Sequence, residues 1–107
     1  MDLHQLALRR SLAFHRVIAG RLLSDPEILT SARSRVNEWV SEMPNRPFVR
    51  MWAQVLAADP SSIGKFLVDE SELATELRQS SPFAGALDAH ERWRIWRAVK
   101  EELESRR

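Results

Sequence analysis

Apolar residues recur at three- and four-residue steps along almost the whole chain, and no stretch alternates with the period of two that a half-buried strand needs. Leu3, Leu6, Ala7, Phe14, Val17, Ile18 and Leu22 make one face of a first helix that begins near Asp2 and Gln5 and runs to about Leu23. Ser24-Asp25-Pro26 signals the next start, because a proline in the first turn has no amide hydrogen bond to lose. Ile28, Leu29, Ala32, Val36, Trp39, Val40 and Met43 then follow the cleanest helical period in the chain, until Pro44 stops it. Pro47 opens a third helix with Phe48, Val49, Trp52, Ala53, Val55 and Leu56, which Asp59-Pro60 breaks. A short fourth helix carries Ile63, Phe66 and Leu67. Asp69 with Glu72 has the spacing of a capping box for a fifth, holding Leu73, Ala74 and Leu77.

The stretch from Arg78 to Arg97 joins a polar turn, an apolar loop and a tryptophan-bearing helix. Pro82 lacks an N–H and pushes Ser81 out of the helical region, so Ser80-Ser81-Pro82 ends the fifth helix. Phe83, Ala84, Gly85, Ala86 and Leu87 form a loop whose glycine is free to take a positive φ. Asp88 and Glu91 have capping-box spacing, and Trp93, Trp96, Val99 and Leu103 then mark an apolar stripe edged by Arg92, Arg94 and Arg97. The pattern predicts an all-α fold: a compact bundle of five to six short helices forming one domain over residues 1–107, with short connections.

Composition narrows the function. The chain has 107 residues, a formal charge of +1 and no cysteine, which leaves no disulfide and no thiolate metal site. No apolar run approaches bilayer length and the N-terminus does not read as a signal peptide, so a cytoplasmic protein without membrane contact is expected. Arginine outnumbers lysine fourteen to two, the bias of a GC-rich bacterial genome.

Catalytic and ligand chemistry is thin. Ser11 and His15 are four apart and meet on a helix, but a nucleophile–base pair needs a third orienting group that the sequence does not offer. His4, His15 and His90 lack metal-ligand spacing, and Gly20, Gly64 and Gly85 stand too far apart for a phosphate-cradling loop. The expectation is a protein that is not an enzyme and carries no metal or cofactor. Residues 52–67 loosely resemble a helix-turn-helix, which would turn Ser61, Ser62 and Lys65 to the major groove. The carboxylates of Asp69, Glu70 and Glu72 follow at once and oppose phosphate contact.

The segments LALRRSLAFHRVIAGRLLSDPEIL and LRQSSPFAGALDAHERWRIWR resemble those of small all-helical bacterial proteins that serve as antitoxins in toxin–antitoxin operons. The resemblance implies a protein that binds and neutralises a partner toxin encoded in the same operon, sometimes with DNA-binding autoregulation. The residues expected to meet the partner are Arg78, Ser80, Ser81, Pro82, Phe83, Arg92, Trp93 and Arg97, since Trp and Arg dominate interface hot spots. The alternative is a helix-turn-helix regulator using Ser61, Ser62 and Lys65. A bundle that dimerises through its Trp-rich faces is a third reading. Phe83, Leu87, Trp93 and Trp96 also read as core residues, a use that can coexist with a partner surface.

Overall fold

The computed structural model of the chain describes residues 2–106. Six helices follow one another without a strand among the described residues: α1 Leu3–Arg21, α2 Pro26–Glu42, α3 Pro47–Leu56, α4 Pro60–Leu67, α5 Glu72–Arg78 and α6 Ala89–Ser105. Together they make the all-α bundle that the periodicity predicts.

Two devices start these helices. Asp2, Asp59, Ser71 and Asp88 cap α1, α4, α5 and α6 with side-chain oxygens that accept first-turn amides. α2 and α3 have no side-chain cap and rely on Pro26 and Pro47, whose rings preset the helical φ. Both expected capping boxes change on inspection. Ser71, not Asp69, caps α5. Asp69 instead accepts the Ser71 amide at 2.7 Å, and this bond above all holds its carboxyl below the usual range. Asp88 caps α6, but Glu91 turns away to pair with Arg21 at 2.8 Å, tying α6 to the end of α1.

α1 is the spine. α6, α4 and α5 all pack along it, while α2 and α3 form a hairpin joined to the rest through α4 and the core. Trp52, Ile63, Leu67, Ile18 and Phe83 lie at the centre with almost no exposure. Trp52 meets Phe66 and Phe83 edge to face, with ring centroids 5.9 and 6.2 Å apart. Its indole N–H is satisfied by the Leu77 carbonyl at 3.2 Å, so the large ring is buried without an orphaned donor.

Arginines finish two of the shorter helices. Arg33 reaches across from α2 to the carbonyls of Leu56 and Ala58 at the end of α3. Arg78 donates to the carbonyls of Leu67 and Asp69 at the end of α4. Both place a cation at the negative end of a helix dipole.

Candidate functional site

The α5–α6 connection, residues 79–88, is fastened to the body of the protein at several points. The Leu77 carbonyl accepts from the backbone N–H and the hydroxyl of Ser80, Arg35 donates to the Pro82 carbonyl, and Ala86 N–H donates to the Phe83 carbonyl. No residue in this loop has a positive φ, so Gly85 does not use the conformational freedom that its sequence context offered. The loop closes by packing Pro82, Phe83 and Leu87 inward instead.

His15 holds the other end of this clasp. Its Nδ1 lies 2.7 Å from the Ser11 carbonyl and its Nε2 lies 2.7 Å from Ser81 Oγ. A carbonyl can only accept, so Nδ1 carries the proton and Ser81 donates to Nε2. Ser81 Oγ in turn accepts the Phe83 amide at 3.1 Å. His15 is 2 % exposed. Burial draws its pKa down to about 4, the Arg78 charge adds to this, and the Ser11 carbonyl acts against it. The imidazole is thus neutral and bonded at both nitrogens. Of Ser11, four residues back on α1, it is the backbone carbonyl that bonds the ring, and the hydroxyl partner comes from Ser81. Sequence spacing had no means of finding that contact.

Around this clasp α1, α6 and the connection leave an open cleft of 460 Å³. Arg10 and Phe14 line it from α1, Arg92 and Trp96 from α6, and Arg78 and Ser81 from the connection side. No Asp or Glu lines it. Arg10 holds its guanidinium carbon 6.0 Å from the Trp96 ring centroid, and its Nε–H is buried without a hydrogen-bond partner among the described residues. None of Arg10, Arg78 and Arg92 has a carboxylate within ion-pair distance among the described residues.

The residues expected at a partner surface therefore divide. Phe83 is 1 % exposed and Pro82 is buried, so the folded chain presents neither to a partner. Phe83 belongs to the core because the loop carries it under Trp52. Arg78 is also buried, its guanidinium given to backbone carbonyls and to Thr75. Ser80 and Ser81 are half-buried in the clasp. Arg92, Trp93 and Arg97 are all exposed on α6, Trp93 and Arg97 on its outer side and Arg92 at the edge of the cleft.

Trp93 departs from the apolar stripe. At 100° per residue it sits about 120° round α6 from buried Val99, so it turns outward while Ile95, Trp96 and Leu103 face inward. It is 56 % exposed, and the Arg97 guanidinium lies 4.6 Å from its ring centroid.

In the stretch resembling a helix-turn-helix, Ser61, Ser62 and Lys65 are all exposed on α4. Ser62 is already engaged, because its hydroxyl donates to Asp59 at 2.7 Å and its amide donates to the same carboxylate. Those bonds lower the Asp59 pKa and keep an anion at the start of α4. No helix of the described residues is long and apolar enough to cross a membrane, and no group of three or more His, Asp or Glu side chains among them is placed to hold a metal ion. No known protein family, curated protein or solved structure matches this chain.

Proposed function

We propose that this chain is a non-catalytic, antitoxin-like module of a bacterial cytoplasm that binds and neutralises a partner protein encoded beside it. The outer side of α6 carries the contact. One observation supports the reading above the rest: Trp93 leaves a large ring in water with Arg97 against it, while Arg92 and Arg94 flank it on the same helix. Trp and Arg are the residue types that contribute most at interfaces, and an aromatic anchor among cations suits a partner pocket with an acidic rim. The resemblance of the two quoted segments to antitoxins points the same way.

DNA binding through Ser61, Ser62 and Lys65 has less support. The start of α4 is where a phosphate would seat, and Asp59 already occupies that helix end with negative charge.

The test is a pull-down of the tagged chain co-expressed with the products of its neighbouring genes. A stoichiometric partner that is toxic when expressed alone is expected. The double variant Trp93→Ala/Arg97→Ala then weakens the complex by more than ~2 kcal/mol while helix content and melting temperature stay as in the parent. A chain that stays monomeric or self-dimerises without any partner removes the reading. Full affinity in the double variant removes the assignment of the surface.

A further inference from the structure

The cleft between α1, α6 and the α5–α6 connection carries side-chain charge of one sign only. Three guanidiniums line it, no carboxylate does, and none of the three is ion-paired among the described residues. Of the other arginines on α1 and α6, Arg21 pairs with Glu91 and Arg97 with Glu101. Arg9, Arg16 and Arg94 have no ion pair among the described residues but do not line this cleft. Arg78 spends its donors on Leu67, Asp69 and Thr75. Arg10 and Arg92 have no such partner, and Arg10 keeps a buried Nε–H without an acceptor. Leaving a buried donor unmatched is costly, and a guanidinium presents its N–H groups in a fork that fits two oxygens of one oxyanion.

The walls carry a second recognition element. Trp96 is half-buried, its ring centroid 6.0 Å from the Arg10 guanidinium carbon and 6.1 Å from the Phe14 ring, which it meets edge to face. A ring so placed offers an apolar face beside the cations. The cleft's 460 Å³ lies within the range of about 300–1,000 Å³ typical of small-molecule sites. Two unpaired cations match a dianion better than a single carboxylate.

The geometry points to a binding site for a small phosphate monoester that carries a flat apolar group, with the phosphoryl oxygens between Arg10 and Arg92 and the ring against Trp96. Ser81, already fixed by His15, borders the same space and orders the floor of the site. Trp93 and Arg97, which anchor the partner reading, do not line the cleft, and Arg92 is the one residue that both readings use.

Phenyl phosphate is the simplest probe of that chemistry, used at pH 7.5, where a monoester is close to doubly charged. The isolated full chain is titrated while the indole N–H resonances of its four tryptophans are followed by NMR. The Trp96 resonance moves and saturates with one-to-one stoichiometry, inorganic phosphate binds at least tenfold more weakly, and phenol leaves the spectrum unchanged. Arg10→Gln/Arg92→Gln weakens phenyl phosphate binding at least tenfold while the dispersion of the spectrum is kept. Arg97→Gln, outside the cleft, leaves the affinity unchanged and controls for loss of general positive charge. An unmoved Trp96 resonance at millimolar phenyl phosphate overturns the assignment. So does equal binding by the double variant, or a loss in Arg97→Gln as large as that in the cleft variants.

Discussion

His15 Nε2 and Ser81 Oγ are 2.7 Å apart across a sequence separation of 66 residues. The bond joins the middle of α1 to the connection before α6, and so fixes both walls of the cleft. Ser81 donates to the ring and accepts from Phe83 N–H, while the ring donates to the Ser11 carbonyl. Each polar atom in this buried chain has a partner, which is the condition under which a buried network stabilises rather than costs.

Replacing Ser81 tests that network. Ser81→Ala leaves both His15 Nε2 and the Phe83 amide without a partner inside the protein, at an expected cost of about 1–3 kcal/mol. Ser80→Ala should cost less, because Leu77 O still accepts from Trp52 and from the Ser80 amide. Urea unfolding of the two variants gives the comparison. Equal losses would contradict the role given to Ser81.

The depressed His15 pKa makes stability depend on pH. The unfolded chain takes up a proton near pH 6.5, whereas the folded chain refuses it until about pH 4. More protons bind to the unfolded state throughout that window, so stability is full above pH 6.5 and falls as pH drops toward 4. The loss is about 3 kcal/mol at 1.36 kcal/mol per unit. Asp59 and Asp69, whose pKa values are also lowered, act in the same direction at still lower pH. Urea unfolding of the parent and of His15→Gln at pH 7 and pH 4.5 checks this. The parent weakens between the two and the variant changes much less.

Trp52→Phe removes the donor to Leu77 O and part of the volume at the centre of the core. The expected cost is about 2–4 kcal/mol, from the carbonyl's lost partner and the cavity together. Leu73→Ala, at an exposed position of α5, is the comparison and should stay within about 0.5 kcal/mol of the parent. Calorimetric melting of the three proteins orders them.

Gly85→Ala should stabilise. The φ of Gly85 is not positive, and an added Cβ would meet only the Arg35 guanidinium, Nη2 at 3.5 Å and Nη1 at 3.8 Å, ordinary contacts with the end of a flexible side chain. Restricting the unfolded chain then contributes about 0.4–1 kcal/mol. A lower melting temperature in Gly85→Ala would mean that the loop requires backbone freedom after all.

Periodicity and punctuation determined the helices. The prolines at 26, 47 and 60, the acids before α1, α4 and α6, and the repeat of apolar positions act within one or two turns, so a linear reading recovers all six elements and most of the core. The partners of polar groups lie beyond that range, and tertiary structure decided them. Whether Glu91 closes a capping box or reaches Arg21 depends on where α1 ends in space. Whether Trp93 or Trp96 faces inward depends on how α6 rotates against α1, and three-residue spacing accommodates either. Phe83 is core because the loop folds under Trp52, and the Ser81–His15 bond exists because α1 passes beneath that loop. The arginine-lined cleft arises in the same way: Arg10, Arg78 and Arg92 come from separate segments, and packing brings them to one space without a carboxylate among them.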